Sequence, residues 1–153
     1  MSQTNELEIM ERIALDLEHV EESLASSFNT GAEDFNALIR PLSAAGGKRL
    51  RAQLCLLIAN AGTSVERQRI RIAEAVEMLH LATLIHDDVL DQAEIRRGED
   101  TIHMHKGNKV AILSGDYLFA KAFKIVSEMT NMKYLQVFSH IITCLVEGEF
   151  MQM

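Results

Sequence analysis

Apolar residues recur at intervals of three and four along the first part of the chain. They fall at Leu7, Met10, Ile13, Leu17, Val20 and Leu24. This spacing places the apolar side chains on one side of a helix with 3.6 residues per turn. The pattern therefore predicts an amphipathic first helix that ends near Asn29-Thr30-Gly31.

Five further helices are predicted downstream. A short one carries Phe35, Leu38 and Ile39 to Pro41, and the others cover about 46–62, 65–92, 109–129 and 132–153. The start of the long helix is marked by Thr63-Ser64-Val65-Glu66, which has the form of a capping box. The polar segment 92–108 is predicted to be a loop. No run of alternating β-branched residues indicates a sheet, so the predicted fold class is all-α.

The last predicted helix is apolar around most of its circumference. Its apolar residues are Tyr134, Phe138, Ile141, Ile142, Leu145, Val146, Phe150 and Met153. A helix of this kind requires burial on nearly every side. The other predicted helices offer few partners for it.

Composition supports one helical domain over residues 1–153. The chain has 48% apolar residues, a single proline and eight glycines, which is enough apolar material for a core. Its 15 basic and 22 acidic residues give a net charge of −7, and the acids are dispersed. A nucleic-acid-binding protein needs a clustered basic surface, so we expect no nucleic-acid partner.

The N-terminal segment shows no targeting pattern. It is acidic and lacks the apolar core of a signal peptide, and no later segment is apolar for long enough to predict a transmembrane helix. We therefore expect a cytoplasmic location and no membrane span.

The strongest chemical motif is His86-Asp87-Asp88-Val89-Leu90-Asp91. On a helix, Asp87 and Asp91 share a face, whereas Asp88 lies about 100° round the axis. Two carboxylates one turn apart repel each other unless water screens them or a dication lies between them. Mg²⁺ favours one or two protein carboxylates together with phosphate oxygens. The motif predicts either a magnesium site at Asp87 and Asp91 or a solvated acidic helix end.

Other residues of the same region extend this motif. Stepping back from Asp87 by four, three and four residues leads to Thr83, His80 and Val76, so the acidic face continues into a strip of small and apolar side chains. Arg96 and Arg97 follow Asp91 closely and could fold back to offer guanidinium groups to a diphosphate. An ordinary surface loop is the alternative.

A second motif, Gly46-Gly47-Lys48-Arg49-Leu50-Arg51, opens a predicted helix. Free backbone N–H groups at a helix start attract anions, and the neighbouring cations strengthen this attraction. Cations near a helix N-terminus are repelled by the positive end of the helix dipole, and a bound anion would offset this repulsion. The motif therefore favours an anion site over a solvated basic turn. Asp116, in an apolar segment, is predicted to be a buried, hydrogen-bonded carboxylate without a ligand role.

Together these motifs resemble the trans-type, all-α isoprenyl diphosphate synthases. The matching segments are GGKRLR at 46–51, EMLHLATLIHDDVLD at 77–91, RRG at 96–98, AILSGDYLFAKAF at 111–123 and EGEFMQ at 147–152. The bacterial medium- and long-chain polyprenyl synthases are particularly similar. The resemblance implies an antiparallel helical bundle of the isoprenoid synthase type.

The implied reaction joins isopentenyl diphosphate to an allylic diphosphate, head to tail, with Mg²⁺ as cofactor. The resemblance assigns Asp87 and Asp91 to the metal, with Asp88 in support, and Arg96 to the allylic diphosphate. It assigns the isopentenyl diphosphate to Lys48, Arg51, His80 and Arg97. Diphosphate departure leaves a carbocation, so metal and arginine stabilisation of the leaving group is needed and a protein nucleophile is not.

The resemblance also addresses product length. Residues four and five positions before the first aspartate form the floor beneath the growing chain, and here they are the small Thr83 and Ala82, with Leu79 one turn earlier. We therefore expect products longer than farnesyl.

These 153 residues match only about the first half of such an enzyme. The second aspartate-rich motif and the helices that close the cavity are missing, so we expect a truncated chain with weak activity alone. The alternative is a non-catalytic all-α subunit that associates with a synthase partner. Retention of the first aspartate motif favours the catalytic interpretation. In either case we expect a homodimer or heterodimer formed through apolar helices.

Overall fold

A computed structural model describes residues 3–28, 33–44, 48–62 and 65–152. Its seven helices in these ranges are α1 (Gln3–Ser27), α2 (Glu33–Ala44), α3 (Leu50–Asn60), α4 (Glu66–Leu90), α5 (Ile102–Lys106), α6 (Asn108–Ser127) and α7 (Met132–Gln152). Between α4 and α5 lie two short strands, β1 (Ile95–Arg96) and β2 (Glu99–Asp100). The predicted all-α class is confirmed.

Helix α4 is the centre of the fold, and it packs against α1, α3 and α6. Its fully buried residues include Ala73, Ala75, Met78 and Ala82. Small side chains at three of these four positions let neighbouring helices approach closely. Since α4 also carries the predicted acidic motif, the core fixes the position of that motif.

Two polar networks join α4 to α1. Arg69 and Asp16, both buried, form a bidentate ion pair with N–O distances of 2.6 and 2.9 Å. The fully buried Glu74 accepts hydrogen bonds from Ser23 and Ser27 at 2.7 Å. Arg71, on α4 itself, completes the partners of Glu74 at 2.6 Å. Buried charges are tolerated when they are paired in this way.

Helices α4 and α6 meet at Gly115. A side chain at this position would overlap the imidazole of His86. That imidazole lies 3.1 Å from the carbonyl oxygen of Ile112 and 3.5 Å from a carboxylate oxygen of Asp116. The prediction of a buried Asp116 is therefore wrong, because its side chain is 59% exposed and faces His86 from the surface of α6.

Helix α2 differs from its prediction because it continues three residues beyond Pro41. Proline removes only one N–H hydrogen bond, to the carbonyl four residues earlier. Packing holds the helix before the proline, where Ile39 is fully buried and Phe35 contacts Tyr117 edge-on with ring centroids 4.7 Å apart.

The predicted loop at 92–108 also contains regular structure, namely β1, β2 and α5. The strands pair antiparallel, with Ile95 opposite Asp100 and Arg96 opposite Glu99. The two residues between them, Arg97 and Gly98, both have positive φ, as a tight two-residue hairpin turn requires. Strands this short leave no apolar alternation to detect in the sequence.

Helix α7 is the least covered helix. Phe138 is its one buried residue in the described chain, and it packs edge-on against Phe123 of α6 at 5.4 Å. Val137, Ile141, Leu145 and Phe150 are among its exposed apolar residues. The apolar circumference predicted from the sequence is therefore left largely open.

Two sequence motifs extend outside the described residues. Gly46 and Gly47 lie there, as do Thr63 and Ser64 of the predicted capping box. Within the described part, α4 begins at Glu66, one residue after its predicted start, whereas α3 begins at Leu50, three to four residues after its predicted start near Gly46-Gly47.

Candidate functional site

The C-terminal end of α4 carries a concentration of negative charge. Asp87 is half-buried in the last turn, and Asp91 follows the helix as its capping residue, with its N–H 2.8 Å from the Asp87 carbonyl oxygen. Burial raises the pKa of Asp87 above its usual value, and the carboxylates of Glu149, Asp91 and Asp88 add to this effect. The charge of Arg96 opposes the rise. A cation would relieve the remaining repulsion.

Asp88, between these two acids in the sequence, is paired with an arginine. It is buried, and its carboxylate accepts a hydrogen bond of 2.6 Å from Nε of Arg96. The β1–β2 hairpin is what returns Arg96 to α4, eight residues further along the chain. Asp88 is therefore placed to orient Arg96 rather than to join Asp87 and Asp91.

Four predicted diphosphate-binding residues surround one cavity of about 230 Å³. Lys48 and Arg51 come from the start of α3, His80 from α4 and Arg97 from the hairpin turn. We call this space the cationic cavity, and its other lining residues are Arg49, Leu50, Glu77, Leu81 and Leu84. Segments distant in the sequence thus bring three of the predicted cations and one imidazole together.

His80 has a pKa below its usual value. Burial is the main cause, and the positive charges of Arg51, Arg97 and Arg96 act in the same direction, against an opposing effect of Glu77. The imidazole is therefore neutral at pH 7 and can donate one N–H hydrogen bond to an anion. Arg96 also lowers the pKa of Asp87, so its charge acts on both the acidic end of α4 and the cationic cavity.

Sequence reasoning did not identify Glu77 or Glu149. Glu77 lies one turn before His80 and lines the cationic cavity with its carboxylate almost fully buried. Glu149 belongs to α7 and acts on Asp87 from there. The quoted motifs contain both residues, but only tertiary packing shows which acids face the site.

A larger cavity of about 570 Å³ lies beside the cationic cavity. Ala37, Leu38 and Pro41 of α2 form one wall, and Leu81, Leu84 and Ile85 of α4 form another. The rim is polar and includes Asp88, Arg96, Arg97, Glu99, Asp100, His103 and His105. The two cavities share Leu81, Leu84 and Arg97, so they are neighbours on one face of α4.

The three predicted chain-length residues line neither of these cavities. Ala82 is fully buried and Leu79 nearly so, both within the helical core. Thr83 is half-buried, and its hydroxyl donates a 2.8 Å hydrogen bond to the carbonyl oxygen of His80. Of the three, Thr83 has the accessible side chain on the strip that leads to Asp87.

The metal residues predicted from the sequence form a pair rather than a cluster. Within the described ranges, three ligand atoms come within 4.8 Å of one another at Asp16, His19 and Glu66, a group that excludes Asp87 and Asp91. Asp16 is already bound bidentately by Arg69, which makes that group an ion-pair network. A carboxylate pair with open positions remains the donor set that Mg²⁺ uses together with phosphate oxygens.

Comparisons with known proteins show which family the chain resembles. A model of the polyprenyl synthetase family matches residues 32–153. Octaprenyl diphosphate synthase of Escherichia coli strain K12 is 32% identical over 145 residues, which cover 95% of this chain and 45% of that protein. Chloroplastic solanesyl diphosphate synthase 1 of Arabidopsis thaliana is 33% identical over 150 residues, covering 94% of this chain and 37% of that protein.

A solved structure supports the same relationship. The polyprenyl synthase from Caulobacter crescentus CB15, crystallised with calcium and isoprenyl diphosphate, superposes with a TM-score of 0.88 at 34% identity. The match covers 94% of this chain and 44% of that one. The all-α fold and the matched residues define an isoprenoid synthase-type helical protein.

The chain belongs to the polyprenyl synthetase family. It spans less than half the length of the relatives named above. No helix in the described ranges combines the length and apolar character needed to cross a membrane.

Proposed function

We propose that this chain takes part in prenyl transfer, in which isopentenyl diphosphate adds to an allylic diphosphate. The observation that carries the proposal is the convergence of Lys48, Arg51, His80 and Arg97 on one cavity. A diphosphate is the ligand class that such a group of cations and a neutral imidazole donor would bind. His80 and Asp87 are seven residues apart on α4, which corresponds to roughly 10 Å along the helix axis.

The site chemistry matches a reaction that begins with departure of an allylic diphosphate. As the C–O bond breaks, negative charge develops on the leaving group and a carbocation remains. Arg96 is held by Asp88 and lies near Asp87, so it can stabilise that negative charge while Lys48 and Arg51 hold the second diphosphate.

The acidic end of α4 fits a hard dication. Asp87 and Asp91 would hold Mg²⁺, because both are carboxylates and they lie one turn apart. Asp88 is less suited to this role, because its carboxylate is already bound by Arg96. When bound, Mg²⁺ would neutralise charge on the departing diphosphate. Burial chiefly, and the carboxylates of Glu149, Asp91 and Asp88 in addition, raise the pKa of Asp87, and a bound cation would offset both effects by favouring the charged carboxylate.

We further propose products longer than farnesyl, because Ala82 and Thr83 are small where a bulky residue would limit chain growth. We propose that the chain is one part of an isoprenoid synthase domain and converts substrate slowly on its own, since the relatives named above are more than twice its length. The exposed apolar residues of α7 and α6, such as Val137 and Ile112, suit a homodimer or heterodimer.

Binding of inorganic pyrophosphate to the purified chain tests the cationic cavity. Isothermal titration calorimetry should show binding that weakens roughly tenfold, or about 1.4 kcal/mol, in Arg51→Ala. Lys109→Ala, which removes an exposed cation of α6, is the matched control and should leave the affinity unchanged. Equal losses in both variants would indicate a general charge effect and would contradict a site at the cavity.

Condensation of farnesyl diphosphate with radiolabelled isopentenyl diphosphate tests the reaction. We expect slow, Mg²⁺-dependent incorporation by the isolated chain, and none in Asp87→Asn. Rapid turnover by the chain alone would contradict the proposed weak activity. Incorporation that persists without Mg²⁺ would contradict the metal assignment.

A further inference from the structure

Glu77 connects α4 to the beginning of α3. Its carboxylate is 6% exposed, and its Oε1 accepts a 3.0 Å hydrogen bond from the backbone N–H of Ala52. Its Oε2 lies 3.6 Å from a guanidinium nitrogen of Arg49. Each oxygen of this buried acid therefore has a partner in the segment that carries Lys48 and Arg51.

Helix α3 receives no side-chain cap from its own capping residue. The capping residue is Arg49, which makes no side-chain hydrogen bond to the helix start, and the first turn contains no acidic residue. The first four N–H groups of a helix need partners from outside the helix. Glu77 supplies one of them, and its negative charge complements the positive end of the helix dipole.

Arg49 is held in an unusual backbone conformation. Its φ of 44° and ψ of 38° lie in the left-handed region, which is unfavourable for residues other than glycine and asparagine. Two carboxylates hold its side chain, since Glu21 accepts hydrogen bonds of 2.6 and 3.1 Å and Glu77 lies 3.6 Å from another guanidinium nitrogen. These contacts turn the Arg49 guanidinium toward α1 and α4, although the residue lies between Lys48 and Arg51 in the sequence.

We propose that Glu77 is a positioning residue for the diphosphate site. By capping α3 and holding Arg49, it fixes the segment that presents Lys48 and Arg51 to the cationic cavity. The inference rests on the proposed function, because it assumes that the cavity binds a diphosphate. Glu77 itself does not bind the anion, since a carboxylate in the same cavity would repel it.

This repulsion makes the sign of the effect informative. If Glu77 acted only through its charge, its removal would make the cavity more positive, and pyrophosphate would bind more tightly. If it acts by positioning, removal frees the start of α3, and pyrophosphate binds more weakly despite the more positive cavity. The two roles therefore predict changes in opposite directions.

The test measures pyrophosphate affinity by calorimetry for wild type, Glu77→Ala, Glu77→Gln and Glu21→Ala. We expect Glu77→Ala to bind roughly tenfold more weakly, which corresponds to about 1.4 kcal/mol. Glu77→Gln keeps an oxygen that can accept the Ala52 N–H, so it should stay within about threefold of wild type. Glu21→Ala is the matched control, because it removes a partner of Arg49 but leaves the α3 cap, and we expect a change of less than about threefold.

Circular dichroism and amide exchange accompany the titrations. In Glu77→Ala, helical content should be retained, while the Ala52 amide should exchange faster with solvent than in Glu77→Gln. Tighter or unchanged binding by Glu77→Ala would overturn the positioning role while leaving the diphosphate site intact. If the wild-type chain does not bind pyrophosphate, the proposed function fails first and the positioning role fails with it. If Glu77→Ala does not fold, Glu77→Gln is the test: a tenfold loss there would overturn the capping role, because glutamine keeps the acceptor for the Ala52 N–H, and binding more than about threefold tighter than wild type would show a purely electrostatic role.

Discussion

Replacement of Asp16 by Asn should destabilise the fold more than any surface substitution on α1. The side chains of Asp16 and Arg69 are both 3% exposed and are joined by N–O distances of 2.6 and 2.9 Å. Asn60 adds a third hydrogen bond to Asp16 at 3.3 Å, so one carboxylate links α1, α3 and α4. Asparagine keeps the shape but leaves the Arg69 guanidinium buried without its counter-charge.

The expected magnitude follows from this geometry. Removing one partner of a buried ion pair costs about 3–5 kcal/mol, because the other charge remains uncompensated. Here Glu66 lies 3.7 Å from Arg69 and can compensate in part, which places the estimate near the lower limit, at about 3 kcal/mol. Since a domain is stable by only about 5–15 kcal/mol, this is a large fraction of the total.

Urea denaturation monitored by circular dichroism measures the change. The control is Glu18→Gln, an exposed acid two residues away on α1, for which we expect a change within about 0.5 kcal/mol. Hydrogen bonds from Arg69 and Asn60 lower the pKa of Asp16 despite the opposing effect of burial. The stability that Asp16 contributes is therefore present above pH 3.8 and is lost as the pH falls through its lowered pKa, a loss that the Asn variant should not show.

Two results would refute this reasoning. A loss below about 1 kcal/mol in Asp16→Asn would mean that the pair is not buried in solution. The double variant Asp16→Leu with Arg69→Met should recover most of the stability, because paired apolar side chains carry no buried charge. If the double variant is no more stable than Asp16→Asn, an uncompensated charge is not the cause of the loss.

Two further predictions concern the site. The pKa of His80, measured from its imidazole proton resonances, should lie below 6.5 in the free chain and rise when pyrophosphate binds, because burial and neighbouring arginines favour the neutral ring whereas an anion favours the charged ring. Since the pKa is lower in the folded chain than in the unfolded chain, His80 should also reduce the stability of the free chain as the pH falls below 6.5. A His80 pKa that does not change when pyrophosphate is bound would place the anion elsewhere. Ala82→Phe should shift radiolabelled products, separated by chromatography, toward shorter chains, and an unchanged product distribution would contradict the chain-length proposal. Because Ala82 is fully buried, the same substitution should lower the free energy of unfolding by about 1–3 kcal/mol.

Periodicity determined most of the helical fold. The predicted ends of the helices at 65–92, 109–129 and 132–153 lie within two residues of α4, α6 and α7. These helices are long, and an apolar repeat over many turns leaves little ambiguity. The errors fall where local patterns are weak: α2 continues past Pro41 to Ala44, and two-residue strands are too short to show alternation.

The candidate site was predicted in its residue types but not in its arrangement. The four-residue spacing of Asp87 and Asp91 is a property of the helix, so the sequence was sufficient to place them on one face. The meeting of Lys48 and Arg51 with Arg97 depends on packing of α3 against α4 and on the hairpin turn. The pairing of Asp88 with Arg96 likewise depends on the hairpin that returns Arg96 to α4.

Buried acids show most clearly what only the tertiary structure decided. The sequence places Glu77 on α4 among many other acids, and nothing in its local pattern distinguishes it from an exposed glutamate. Its role follows from its hydrogen bond to the backbone N–H of Ala52 at the start of another helix and from the left-handed backbone of Arg49. Local periodicity fixes which residues share a helix face, whereas the partner of each face is set by packing between segments far apart in the chain, and a repeat along one segment carries no information about that partner.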